Sequence, residues 1–94
     1  RLIRLVFRSP VERLAFEACK DAAQILKQGA PKGVLVLGPA ECPLNKISQN
    51  YRFQILMKGS SIIPLQAMAR NLQQNYTHNP NVYIEYDIDP INLL

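Results

Sequence analysis

The sequence predicts an α+β fold with the element order βαββαβ. Three observations carry that prediction. Leu2–Arg8, Tyr51–Lys58 and Val82–Ile88 alternate apolar and polar residues with the period of a strand, whereas Val11–Leu26 and Leu65–Tyr76 repeat apolar residues with the period of a helix. Clusters of Gly, Pro, Asn and Ser separate the segments.

In the first strand, Ile3, Leu5 and Phe7 alternate with Arg4, Val6 and Arg8. Ser9 then reads as an N-cap, Pro10 as the first helical residue and Glu12 as the acid three positions after the cap. Val11, Leu14, Ala15, Ala18, Ala22, Ile25 and Leu26 form the expected buried stripe of the first helix, which Gly29 and Pro31 end. Gly33–Leu37 is a short apolar run between breakers and predicts a second strand, with Gly38–Gln49 as a connection. Tyr51, Phe53, Ile55 and Met57 alternate with Arg52, Gln54, Leu56 and Lys58 in a third strand. Ser60 or Ser61 caps the second helix, which tolerates Pro64 only near its first turn and buries Leu65, Met68, Ala69, Leu72 and Tyr76. After Asn79-Pro80-Asn81 the last strand carries Val82, Ile84, Tyr86 and Ile88 on its apolar side.

This order is the split βαβ, or ferredoxin-like, arrangement: a four-stranded antiparallel sheet with two helices on one face and the first and third strands at its centre. Ninety-four residues suit one domain, residues 1–94, with a single core. An apolar share of 48% with 19% charged residues excludes a disordered chain. No apolar run approaches the roughly 20 residues that span a bilayer, so no membrane partner is expected. Cys19 and Cys42 have neither CxxC spacing nor a His pair, which argues against a disulfide framework and a zinc site and favours a reducing, cytoplasmic setting. The chain opens at Arg1 directly on a strand pattern, which leads us to expect a piece of a longer protein.

A net charge of +4 points towards a polyanion. If the helices cover the face bearing Ile3, Phe7, Phe53 and Ile55, the other face displays Arg4, Arg8, Arg52, Gln54 and Lys58 with Tyr83 beside them. Cations that track phosphates and an aromatic that stacks on a base are how sheet modules hold single strands. The competing reading is structural: Glu85 and Asp87 share that face and can pair across strands with Arg4 and Arg8. No catalytic or metal set is expected. Glu85, Asp87 and Asp89 lack further oxygen ligands, His78 has no nucleophile or second histidine near it, and Gly38 and Gly59 are isolated. Ile63 falls off the buried stripe of the second helix and is a candidate exposed interface residue.

Val36-Leu37-Gly38-Pro39-Ala40 followed by Pro43-Leu44, then Tyr51–Lys58 and finally Asp87-Ile88-Asp89-Pro90, resemble in order and spacing the C-terminal domain of the PriA (primosomal protein N′) family. The resemblance implies a domain packed on an ATP-dependent 3′ to 5′ DNA helicase core, with ATP, Mg and Zn sites elsewhere in the parent protein and no cofactor in this segment. It also implies binding of forked or single-stranded DNA and contact with primosome proteins and the acidic, apolar tail of the single-stranded-DNA-binding protein. In relatives an Arg and a Gln one turn apart on the second helix help to hold that tail. Gln66 matches the Gln, and Ile62 stands at the Arg position. Two alternatives are a free-standing acylphosphatase-like enzyme, whose Gly-rich loop after the first strand is replaced here by Arg8-Ser9-Pro10-Val11-Glu12, and a ligand-sensing regulatory domain.

Overall fold

A computed structural model describes all residues, 1–94. The elements are β1 (Leu2–Ser9), α1 (Glu12–Gly29), β2 (Leu35–Ile47), β3 (Asn50–Lys58), α2 (Ile62–Asn75) and β4 (Tyr83–Ile88). The four strands form one antiparallel sheet in the order β2-β3-β1-β4. The predicted α+β fold with β1 and β3 central is the observed one. Register puts Ile3 opposite Met57 and Ile88, Leu5 opposite Ile55 and Tyr86, and Phe7 opposite Phe53 and Ile84. These residues therefore share one face, and both helices pack on it.

Ile3, Leu5, Phe7, Ile55 and Met57 are buried there, joined by Leu65, Ala69 and Leu72 of α2. Each large side chain so buried contributes on the order of 1.5–3 kcal/mol. The α1 stripe is built mostly from small residues, Ala15, Ala18, Cys19, Ala22 and Ala23, with Leu26 at its end, so the helix lies close to the strands. The stripe is rotated from the one expected: Val11 and Ile25 are exposed, while Cys19 and Ala23 are buried. The Tyr76 hydroxyl donates to the Ala18 carbonyl at 3.2 Å and ties the end of α2 to α1.

Two local expectations need correction, and a third is resolved. Ser9 is not the N-cap of α1. It remains the last residue of β1, fully buried, and its Oγ accepts from the Val11 amide at 3.1 Å; Val11 occupies the cap position without a side-chain bond, and the helix begins at Glu12. Pro10 accordingly precedes the helix. The segment Gly38–Gln49 is largely not a connection, because β2 runs on to Ile47 and pairs with β3 up to Ile47↔Asn50. Pro39 and Pro43 mask this in the sequence, but β2 is an edge strand, where a missing amide donor is tolerated. The pairing slips between Leu37 and Ala40 and again between Glu41 and Lys46, so the strand bulges twice. Ser48 and Gln49, with φ of 50° and 67°, close the hairpin as a two-residue left-handed turn built without glycine. For α2 the choice between two serines resolves to Ser61, whose Oγ accepts from Ile63 N at 3.4 Å.

At the first slip, Gly38 has φ +132°, and a Cβ there would stand 2.7 Å from the Gln54 carbonyl oxygen. Both the backbone angle and the close approach demand glycine. Gly38→Ala is expected to lower stability by roughly 2–3 kcal/mol through strain and displacement of β3, read as a reduced urea midpoint with little change in slope; an unchanged midpoint would show that β2 relaxes freely at this point.

Candidate nucleic-acid and partner interface

The sheet face turned away from the helices carries Arg4, Val6 and Arg8 from β1, and their cross-strand partners Leu56, Gln54 and Arg52 from β3. Tyr83, Glu85 and Asp87 stand on β4 opposite Arg8, Val6 and Arg4. The expected strip is present as a row of residues but is not uniformly open. Arg4 is only 3% exposed and Val6 is fully buried, which corrects the expectation that Arg4 is displayed. Two segments shield the face. The β2 bulge folds over it, bringing Cys42 Sγ to 3.4 Å from Arg4 Nη2 and the Leu44 carbonyl to 2.6 Å from Arg52 Nη1. The residues after β4 turn back at Asp89 and end with the Leu94 carbonyl 2.5 Å from the same Arg52 Nη1.

The cations differ in what neutralises them. Arg8 Nε donates to Glu85 Oε1 at 2.7 Å, and its guanidinium lies 4.7 Å above the Tyr83 ring. This is the cross-strand pairing foreseen as the structural alternative. Being half exposed, it is worth little in net stability. Arg4 does not take the anticipated acid Asp87 as partner; its Nε donates to Gln54 Oε1 at 2.9 Å. Arg52 meets no side-chain acid; its Nη1 donates to the Leu44 carbonyl and to a backbone oxygen of Leu94, the last residue. Lys58 is exposed. Between Arg8 and Arg52 lies a hollow of about 260 Å³, lined also by Ile47, Ser48, Asn50 and Glu85.

A second surface lies where α2 meets β4. Ile3, Ala69, Tyr86 and Ile88 floor an open hollow of about 260 Å³, and Gln66, Arg70 and Gln73 rim it. Gln66, singled out in the sequence, lines this hollow. Ile62 is partly buried against the core, and Ile63 is 73% exposed, as its position off the stripe implies. Neither lines the hollow. The sequence reading missed Arg70. It sits one turn after Gln66 on the same helix face, so the i, i+4 spacing was the signal that could have revealed it.

Elsewhere the chemistry-bearing residues stay apart. No three His, Cys, Asp or Glu side chains converge: Glu85 faces Arg8, and Asp89 faces Arg1 and the Leu2 amide. His78 lies against the Asn79 carbonyl at 2.9 Å. Burial, and secondarily the nearby Cys42, pushes the Cys19 thiol up to about 12, so it stays protonated and unreactive.

Fold and surfaces together define a small split-βαβ domain with two distinct surfaces: a cation-bearing sheet face and an apolar groove rimmed by amides and one guanidinium. The family model described as "Primosomal protein N C-terminal domain" matches residues 1–91. The replication restart protein PriA of Treponema pallidum is 40% identical over the whole chain, and those of Borreliella burgdorferi and Synechocystis sp. are 32% and 31% identical over 100% and 99% of it. The chain spans 14%, 14% and 11% of these relatives' lengths. The nitrogen regulatory PII-like protein CPII of Thiomonas intermedia overlaps it at a TM-score of 0.39, with 14% identity over 96% of each chain. The chain belongs to the PriA C-terminal domain family.

The Asp-Pro signature has a structural task in this family member. Asp89, at φ +46°, reverses the chain after β4 while its backbone amide donates to the Leu2 carbonyl at 2.7 Å. Its carboxylate accepts from the Leu2 amide at 2.8 Å and from Arg1 Nε at 2.7 Å. The Leu2 amide first, and the Arg1 guanidinium next, hold the Asp89 carboxyl below the usual carboxylate range. A carboxylate whose folded pKa is depressed stabilises the fold above its unfolded pKa and loses that contribution as pH falls through the folded value. Wild type is therefore expected to melt above Asp89→Asn at neutral pH, with the gap closing as pH is taken below the ordinary carboxylate range. A gap that is constant with pH would mean that the carboxylate's charge plays no part.

Proposed function

We propose that the chain is the DNA- and partner-binding end of a replication-restart helicase and carries no catalysis of its own. The observation that supports this most directly is the family match along residues 1–91, joined to a sheet face on which four cations accompany two carboxylates, Glu85 and Asp87, of which Glu85 is paired with Arg8. The relatives' names place them in replication restart. In this reading the helicase core, its ATP and Mg and its structural Zn belong to the remaining length of a cytoplasmic parent protein. The present residues fit none of those groups, having no phosphate-cradling glycine loop and no converging ligands. No helix is long and apolar enough to cross a membrane.

On the sheet face, Arg52 and Lys58 carry the DNA contacts, because Arg8 spends its charge on Glu85 and Arg4 lies buried. Gln54 orients Arg4, and Tyr83, over half exposed beside Arg8, offers a stacking surface. Phosphate contacts of this kind are insensitive to sequence and weaken steeply with salt. Arg52→Ala combined with Lys58→Ala is expected to weaken binding of labelled single-stranded or forked DNA and to flatten the log-log salt slope by about one to two units. Anisotropy titrations at several salt concentrations measure both. An unaltered slope and affinity would remove this face from the DNA site and direct attention to Lys46. The same preparation is expected to show no DNA-stimulated ATP hydrolysis and no unwinding.

At the α2–β4 hollow, the partner is the acidic, apolar tail of the single-stranded-DNA-binding protein. Apolar residues enter between Ile3, Tyr86 and Ile88, and Gln66 and Arg70 meet the terminal carboxylate; exposed Ile63 extends the apolar contact. Arg70 supplies the charge that Ile62 does not, through a charge-assisted bond. Arg70→Ala and Gln66→Ala are each expected to weaken binding of the tail peptide, Arg70→Ala by roughly tenfold or more. Ile62→Arg is expected to change little, since that side chain packs beside the core. Isothermal titration in which Arg70→Ala leaves affinity intact while Ile62→Arg raises it would return the charged anchor to the position it holds in relatives.

A further inference from the structure

The two edges of the sheet are unlike. The outer edge of β2 contains Pro39 and Pro43, slips register twice and carries Lys46, features that discourage a further strand. The outer edge of β4 has no proline, no bulge and no lysine from Tyr83 to Ile88. Its free backbone groups follow from the ladder. The Asp89 amide donates to the Leu2 carbonyl. By alternation, Asp87, Glu85 and Tyr83 turn their amides and carbonyls towards β1, whereas those of Ile84, Tyr86 and Ile88 point outwards. The Gly59 amide donates to the Arg1 carbonyl, which turns the even-numbered residues of β1 towards β4 and gives the same phase. No other element pairs with the outward groups.

The side chains of Ile84, Tyr86 and Ile88 lie on the helix-bearing face, but α2 sits over β1 and leaves a gap beside β4. Ile84 and Tyr86 are only partly buried, and Ile88 is 53% exposed. The gap holds two hollows that share Gln73 and Tyr86. One is the hollow at Ile88 described above; the other, of about 230 Å³, lies at Ile84 and is walled by Leu72, Tyr76 and His78. Ile84 and Ile88 are four residues apart, about 13 Å along a strand, which is the separation of side chains i and i+4 on a strand laid beside β4. On the opposite face Glu85 pairs with Arg8, while Asp87 is exposed and takes no hydrogen bond or ion pair.

We propose that the outer edge of β4 receives an extended segment of a partner protein as a fifth, antiparallel strand, with apolar residues at alternate positions and lysine or arginine between them. The apolar residues opposite Ile84 and Ile88 fill the two hollows, and their amides and carbonyls bond to the outward groups of β4. The basic residues face Asp87 and Glu85 in the pairs that exchange no backbone bonds, where side chains of neighbouring strands approach most closely. Charge decides against a second copy of this chain, because two-fold pairing of β4 along its length sets Glu85 against Glu85 or against Asp87. The acidic tail assigned above to the Ile88 hollow turns on Arg70 and needs no bond to β4, so the two ligands compete for one hollow through different contacts.

The test uses the 94-residue chain, its folding verified by circular dichroism, in anisotropy titrations with a fluorescein-labelled peptide whose central residues alternate valine and lysine. N-methylation of the middle valine amide, which bonds to β4, is expected to weaken binding about tenfold or more, whereas N-methylation of a lysine amide, which points to solvent, changes it less than about twofold. Asp87→Asn is expected to weaken binding about two- to fivefold. A peptide with glutamate in place of lysine is expected to bind more weakly than the parent, and so is one of the same composition with its valines and lysines in separate blocks. Equal losses from the two N-methylations, binding unchanged by Asp87→Asn, or equal binding of the acidic or the block peptide overturns the proposal. Sedimentation of the free chain is expected to show a monomer; a dimer that the peptide dissociates makes a second copy the occupant and overturns the proposed partner. No binding of the alternating peptide overturns the added strand and leaves the tail reading, tested at Arg70, in place.

Discussion

With β3 on one side and β4 on the other, β1 has no free edge, and with helices on one face and folded-back chain on the other it has no free face. Residues Ile3 to Phe7 are all buried. The rest of the domain is arranged around that enclosure. Ile3, Leu5 and Phe7 set the register of both neighbouring strands, because a slip of one residue would turn the whole apolar set away from α1 and α2. The same enclosure forces the intervening Arg4 to bury its guanidinium, which Gln54 and Cys42 satisfy without neutralising. A strand that carries the core on one side and a buried cation on the other ties stability to the candidate binding face.

That link explains why the two surfaces of the domain differ in character. The α2–β4 groove has an apolar floor that includes Ile3 and Ala69 of the core and a rim of Gln66, Arg70 and Gln73. The sheet face is crossed by chain from both sides, and its three arginines are already hydrogen-bonded, whereas Lys58 is exposed. Cys19, kept protonated by burial, contributes to packing beneath α1 and to neither surface.

The Asp-Pro motif gains a physical meaning from the fold. Asp89 joins the start of β1 to the end of β4 through its amide and its carboxylate and fixes the direction in which the following residues leave. Pro90 follows at the point where no further strand pairing is made. A signature that reads as a simple turn start in one dimension is, in three, both the closure of the sheet and the origin of the segment that reaches Arg52.

The sequence by itself determined the element order, the central position of β1 and β3, the exposed Ile63 and the alternation that separates Arg8 and Arg52 from Phe7 and Phe53. Those features depend on periods of 2 and 3.6 and on capping residues, which are local. It did not reveal the continuation of β2 through Pro39 and Pro43, since prolines argue against a strand unless its other edge is known to be free. Nor did it reveal the burial of Arg4 and Val6, which arises from a bulge and a folded-back segment distant in sequence. Ser9 misled for a related reason: a residue with an N-cap's chemistry was needed more as the buried end of β1, where its hydroxyl still accepts a nearby amide. Arg70 could have been paired with Gln66 by spacing, but only the placement of α2 over β1, with a gap left beside β4, gave the two a shared hollow. Tertiary structure decided which cations are open, paired or covered, because that depends on what lies above a strand and not on what alternates along it.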